Sequence, residues 1–237
     1  MKMLIDWNCH LLPMMGEWIA APKDAREAML CLHARTGIRR FCMMAEFDCR
    51  KESLPCFLLE RDRAMRELRE VLPDGVRLLA GGYLRLRPEL TELAGLERLC
   101  IPKHGLLPVQ LPWTAPHQEL VSAWNYLLYH VGARILLMDT EHYVTAYPPD
   151  TVERLLRRGG VVYQFDYLSL GDPQLRRIIR RLYQRGATVL FGTGVNSPGA
   201  AAYYDFLSAK EAALAAFDRP LLEAVLTMDP RATAEKT

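Results

Sequence analysis

The sequence predicts an α/β fold, a single distorted (β/α)7 barrel in which parallel strands alternate with helices. Three observations predict it. Seven short apolar runs recur along the chain, helical stretches with legible ends lie between them, and no linker, low-complexity tract or charge block divides residues 1–237. One domain is therefore expected, and a length of 237 residues suits one barrel.

In chain order, MLID (3–6) is the first strand. Pro22 to Thr36 reads as a helix, with proline in its first turn and Gly37 to stop it. RFCMMA (40–45) is the second strand. Ser53 to Leu72 is helical and ends at the Pro73-Asp74-Gly75 turn. VRLLAGGYL (76–84) and LLPVQL (106–111) are strands three and four. His117 to Val131 is a helix that Gly132 ends, and ARILLM (133–138) is strand five. Asp150 to Arg158 is a short helix with Asp150 as its expected N-cap and Gly159-Gly160 beyond it. VVYQF (161–165) is strand six. Asp172-Pro173 opens a helix that runs to Arg185 and closes at Gly186, and ATVLFG (187–192) is strand seven. Apolar residues are nearly continuous within each run, as in strands buried on both faces. A doubly wound open sheet is the alternative, but no GxGxxG follows the first strand.

Composition narrows the function classes. At 50% hydrophobic and 24% charged, the chain is globular rather than disordered. Lys plus Arg is 30 against 28 Asp plus Glu, so charge gives no case for nucleic acid. The longest stretch without a charge, Gly186 to Tyr204, holds the loop-forming Gly192, Thr193, Gly194, Asn196, Ser197, Pro198 and Gly199, so no membrane span is expected. Asp6 and His10 interrupt the only apolar start a signal peptide would need, and a cytoplasmic location is expected. Cys9, Cys31, Cys42, Cys49, Cys56 and Cys100 form no CxxC pair and read as free thiols, with Cys42 a small buried hydrophobe. In RRIIRRLYQR (176–185), Arg176 with Arg180 and Arg181 with Arg185 share faces. A solvated outer face is the expectation there, and an anionic partner surface the sharper alternative.

In a β/α barrel the chemistry sits at the carboxyl ends of the strands. Ionisable and amide residues recur where these runs stop: Asp6-Trp7-Asn8-Cys9-His10, Ala45-Glu46-Phe47-Asp48, Gly81-Gly82-Tyr83, Asp139-Thr140-Glu141-His142, Gln164-Phe165-Asp166 and Gly192-Thr193-Gly194-Val195-Asn196. Asp6, His10, Glu46, Asp139 and Asn196 are expected to converge on one mouth, either as oxygen and imidazole ligands of a divalent metal or as a rim that satisfies its own hydrogen bonds.

The opening LIDWNCHLLP resembles the ID-x-H-C-H-x-LP signature of the polymerase-and-histidinol-phosphatase (PHP) superfamily, and more narrowly the bacterial capsule-biosynthesis tyrosine phosphatases. The likeness continues in order. Met44-Ala45-Glu46-Phe47 stands where that family shows T-P-H, Gly81-Gly82-Tyr83 where it shows G-x-E, and Leu137 to Tyr143 where it shows L-A-H-P-E-R-Y. Gln164 and Ser169-Leu170-Gly171 look like its L-Q and S-L-x-G segment, Phe191 to Asn196 stands for I-A-S-D-A-H, and Met228-Asp229-Pro230 for its closing N-P. The resemblance implies a TIM-like barrel of PHP type and a metal-dependent phosphoester hydrolase holding a cluster of divalent ions, often manganese.

The departures fall on the implied ligands. The first-motif pair reads Asn8 and His10. Glu46 stands for His, Tyr83 for Glu, Asp139 for His, Gly194 for Asp and Asn196 for His, so His10 alone of the seven is kept. His142 takes the phosphate-facing Arg position, while Glu141 beside it and Asp6 behind the first motif are retained. Tyr83 keeps its proton at neutral pH, Gly194 offers no ligand, and Asn8 and Asn196 offer neutral amide oxygens, weak for a transition metal. The full multi-metal cluster is therefore not expected. The cofactor expectation is none, or one divalent metal (Mn, Zn or Fe) on His10, Glu46 and Asp139. The leading functional expectation is a non-catalytic or altered phosphatase relative that binds a phosphorylated or anionic protein or small molecule, in exopolysaccharide regulation. The alternative is a working phosphoester hydrolase on the rebuilt single-metal site. A third reading is metal-free acid–base chemistry with Glu46 or Asp139 as base and His142 as acid, next to Glu141. Oligomeric state stays open.

Overall fold

The computed structural model describes residues 4–15, 19, 21–114, 118–157, 159–218 and 221–222. His117, Arg158 and Met228-Asp229-Pro230 lie outside the described residues. The elements are β1 (Ile5–Cys9), α1 (Pro22–Thr36), β2 (Arg40–Met43), β3 (Glu46–Phe47), α2 (Leu54–Glu70), β4 (Arg77–Ala80), β5 (Tyr83–Arg85), β6 (Leu106–Gln110), α3 (Gln118–Tyr129), β7 (Arg134–Leu137), α4 (Thr140–Ala146), α5 (Pro149–Leu156), β8 (Val161–Asp166), α6 (Pro173–Gln184), β9 (Val189–Gly192), α7 (Pro198–Tyr203) and α8 (Phe206–Ala216). Every strand pairing is parallel.

The strands form two sheets, ordered β1-β2-β4 and β3-β5-β6-β7-β8-β9. Seven runs thus become nine segments. The second run breaks at Met44-Ala45 and the third at Gly81-Gly82. At the breaks each sheet keeps its own pairing: Gly81 N–H donates to the Met43 carbonyl at 2.8 Å beside β2 and β4, and Tyr83 N–H to the Ala45 carbonyl at 2.8 Å beside β3 and β5. The first strand runs on past the predicted Asp6 to Cys9, with a register irregularity between Asp6 and Cys9. Beyond the last strand, Gly194 N–H donates to the Asn8 carbonyl at 2.8 Å, and His10 N–H to the Val195 carbonyl at 2.9 Å.

Side-chain alternation sorts the strands into two apolar layers. Phe41, Met43, Ile135, Leu137, Tyr163, Phe165, Val189 and Phe191 face the larger core with the helices. Trp7, Cys42, Met44, Leu136, Met138, Val162 and Leu190 meet on the other side. Burial on both faces explains why the runs read as continuous apolar sequence.

Helix ends follow their sequence signals with one exception. Ser53 caps α2 through the Cys56 N–H, Asp172 caps α6 through the N–H groups of Gln174 and Leu175, and Gly37 ends α1 at φ 77°. Asp150 is not the N-cap expected of it. Pro148 holds that place without a side-chain bond, because two prolines already fix the entry, and Asp150 lies in the first turn facing the helix dipole. The arginine helix presents the solvated face expected of it, with Arg177, Arg180, Arg181 and Arg185 exposed, and its arginines also make local contacts. Arg176 donates to the Leu170 carbonyl at 2.6 Å, Arg180 lies 5.6 Å from the Phe217 ring centre, and Arg181 and Arg185 reach Glu153. Among the described residues no helix is long and apolar enough to cross a membrane.

β9 approaches β1 most closely at Gly192. A Cβ there would lie 2.5 Å from both the Asn8 backbone nitrogen and the Asn8 Cβ. Gly192→Ala is expected to lower stability by about 3 kcal/mol, the upper end for overpacking, since backbone must move. Urea unfolding measures it, and an unchanged midpoint would refute this account of the strand contact.

Candidate functional site

A cleft of about 780 Å3 opens at the carboxyl ends of the strands. Asp139 stands at its centre, one residue past Met138. Its backbone is left-handed, φ 52° and ψ 43°, a conformation Asp tolerates better than most residues. It precedes α4 without capping it, because its carboxylate is engaged elsewhere. Oδ1 accepts from Asn8 Nδ2 at 2.8 Å and Oδ2 from Gln110 Nε2 at 2.6 Å. The Asp139 N–H donates to Gln164 Oε1 at 2.8 Å, and that oxygen also takes Asn8 Nδ2 at 3.2 Å. Four strands, β1, β6, β7 and β8, thereby supply one network. Both amide orientations follow from it, since a flipped Asn8 or Gln164 would set acceptor against acceptor or donor against donor.

Glu46 forms one wall. It pairs in register with Tyr83, whose hydroxyl lies 3.3 Å from Oε2. Arg85 also donates to Oε2 at 3.3 Å, and Arg87 Nη2 stands 3.8 Å from Oε1. Arg87 then bonds Asp48 at 2.7 Å. Hydrogen bonds from Arg50, with Arg87 close by, hold the Asp48 carboxyl down at about 2. Burial, with Glu46 adding to it, pushes the Tyr83 phenol up.

Three carboxyls on the other side are pushed the opposite way. Asp6 is buried and accepts Thr193 N–H at 2.9 Å, Thr193 Oγ1 at 2.6 Å and Asn8 N–H at 3.1 Å, yet burial raises it to about 7. Asp166 accepts the Tyr204 hydroxyl at 2.5 Å, and burial raises it to about 7. Glu141 accepts the Asp166 N–H at 3.2 Å, and burial together with the nearby Asp139 raises it to about 8. His10 packs edge-on to Tyr83, 5.6 Å between ring centres. Burial lowers its pKa, while Asp139 and Glu46 pull the other way. His142 is exposed and lies edge-on to Trp113.

His10, Glu46, Tyr83, Asp139, Glu141, His142, Gly194 and Asn196 all line this cleft, while Asp6 and Asn8 are buried beneath it. Gly194 has φ 60°, so a side chain there would strain the backbone. Sequence reasoning missed Arg85, Arg87, Gln110, Lys51, Trp113 and Tyr204. Two signals were available: residues 83 and 85 share a strand face by the period of two, and Gln110 is the polar residue near the end of the one apolar run whose terminus went unread.

Among the described residues no group of three His, Cys, Asp or Glu is arranged to hold a metal ion. The chemistry agrees with that geometry. The oxygens of Asp139 point to amide donors and those of Glu46 to a phenol and two guanidiniums, so neither carboxylate is presented as an open ligand. The residues present do not fit a multi-ion cluster.

Parallel strands alternating with helices, with a carboxylate-lined cleft at the strand ends, define an α/β fold. The chain is similar over 92% of its length, and 90% of the other, to a solved structure from the metal-dependent tyrosine phosphatases YwqE of Bacillus subtilis and CpsB of Streptococcus pneumoniae, with TM-score 0.69 and 19% identity. It is also similar, over 98% of its length and 97% of the other, to a 2-pyrone-4,6-dicarboxylic acid hydrolase candidate from Pseudomonas putida, with TM-score 0.56 and 18% identity. At such identities the likeness establishes the fold. No protein-family model matches the sequence.

Two outcomes are expected from this geometry. Between about pH 4 and pH 8 the native state holds protons on Asp6, Asp166 and Glu141 that the unfolded chain has released, so their contribution falls as pH rises. His10 acts the other way, but only below its ordinary 6.5, and Asp48 only below its ordinary 3.8. The melting temperature should be higher near pH 6 than near pH 8, and Glu141→Gln should shrink the difference. A melting temperature that rises over that interval would refute the assignment. Separately, Arg87→Ala leaves Asp48, 7% exposed, with Arg50 alone, at an expected cost of about 3 kcal/mol by urea unfolding. A loss within the scatter of surface substitutions, about 0.5 kcal/mol, would show the pair to be dispensable.

Proposed function

We propose that residues 1–237 form one domain, a distorted TIM-like barrel of seven βα units of PHP type, whose cleft binds a phosphorylated or otherwise anionic group without a metal cluster. The barrel reading draws on the bonds that join the end of β1, in one sheet, to the residues after β9, in the other. The functional reading rests on one observation: the carboxylates at the implied ligand positions are already met by donors from the chain itself, amides at Asp139 and guanidiniums at Glu46. Without cations, nothing lowers the pKa of an attacking water or neutralises a phosphoryl transition state. Binding capacity remains. Lys51 and Arg85 reach the cleft, Trp113 offers an exposed aromatic surface, and the Glu141 carboxyl, at about 8, keeps a proton that an anionic oxygen can accept. The resemblance supplies the setting, exopolysaccharide control, and the charged start of the chain the cytoplasmic location.

One observation favours a second reading, metal-free acid–base hydrolysis. Glu141 carries its proton beside Asp139, a pair of carboxyls in contrasting environments, with His142 at the rim. The single-metal hydrolase on His10, Glu46 and Asp139 would require those carboxylates to leave their present partners.

Elemental analysis of purified protein, paired with a manganese-supplemented assay on an aryl phosphate, tests these readings. The expected result is substoichiometric metal and no added turnover. Manganese-dependent turnover of about 1–1000 per second would overturn the proposal and favour the single-metal site. Metal-independent turnover that Glu141→Gln abolishes would favour the second reading.

A further inference from the structure

At the amino ends of β7, β8 and β9, away from the site above, lies a second cleft of about 410 Å3. Arg134 opens β7, Arg157 follows α5 and Arg185 follows α6, and all three line it. Among the described residues no carboxylate lines it. A Cβ at Gly159 or Gly186 would meet nothing within 4 Å, so the backbone there leaves open space.

The charges around this cleft do not balance. Glu153 is a single carboxylate shared by Arg157 at 2.7 Å, Arg181 at 2.8 Å and Arg185 at 3.3 Å. The carboxyl ends of α5 and α6 bring roughly half a negative charge each. Four guanidiniums therefore face about two negative charges. Capping of helix ends accounts for Arg157 and Arg185. It does not account for Arg134, which begins a strand and makes no ion pair with a described residue. With positive charge in excess of the single Glu153 carboxylate and the two helix ends, an anion entering the cleft would complete the balance. The planar donor forks of the guanidiniums match the paired oxygens of a phosphoryl group. The concavity suits a small molecule, and the chain's net charge of +2 gives no extended basic surface for nucleic acid.

We propose that this cleft binds a small phosphoryl-bearing anion between Arg134, Arg157 and Arg185. Pyrophosphate is the probe, titrated calorimetrically into the full chain at low ionic strength. The expected result is a saturable site that weakens with added salt. Arg134→Ala should weaken it by about tenfold or more, the effect of one charge-assisted hydrogen bond. Arg134→Gln, which keeps an apolar stem in place, serves if the alanine variant melts early. Arg85→Ala should remove any binding in the first cleft and leave this site intact, so the two proposals fail separately. No saturable binding, binding indifferent to both Arg134 variants, or binding abolished by Arg85→Ala alone would overturn the inference.

Discussion

The half-buried carboxylate of Asp139 is the constraint around which the cleft is arranged. A charge removed from water must be met by donors at short range, and the interior ends of neighbouring strands are where such donors can stand. Asn8 and Gln110 meet its two oxygens, and Gln164 accepts its backbone N–H. An apolar residue at any of these positions would strand a polar partner. The left-handed backbone at 139 belongs to the same constraint, because it turns the carboxylate into the cleft and leaves α4 to begin uncapped.

The second consequence concerns how positive charge reaches the wall of the cleft. A bound divalent ion is exchangeable and keeps coordination positions for water or substrate. A guanidinium is permanent, points its donors in fixed directions and offers no orbital to a nucleophile. Arg85 and Arg87 therefore balance Glu46 and Asp48 electrostatically while supplying none of a metal's chemistry. The likeness to metal-dependent enzymes lies in the path of the backbone, and a site must be argued from its own atoms.

Much of the framework was legible in the sequence, and the reasons are local. Continuous apolar runs, Gly37, Gly186, Ser53 and the Asp172-Pro173 pair mark strands and helix ends through chemistry within a few residues. The convergence of His10, Glu46, Asp139 and Asn196 on one cleft was legible too, since each stands shortly after an apolar run, whereas Asp6, expected on the same mouth, is buried and does not line it. What stayed hidden depends on distant partners. Nothing near Gln110 announces that it meets Asp139, and nothing near Arg87 announces Asp48, 39 residues earlier. Of the two breaks that turn seven runs into nine segments, one was written as Gly81-Gly82 inside an apolar run, where glycine read as strand interior, and the other, at Met44-Ala45, carries no local mark. Asp150 misled because a good capping residue lost its place to a proline that needs no cap.

Asp6 has a consequence for how the chain is assembled. Its carboxylate binds the backbone and side chain of Thr193, 187 positions further along. A ribosome adding about 5–20 residues per second needs roughly ten to forty seconds to supply that partner. Through that interval the Asp6 carboxylate is without the residue that joins the first strand to the last. When Thr193 arrives, the same side chain exchanges water for three hydrogen bonds and fixes the first strand beside the last.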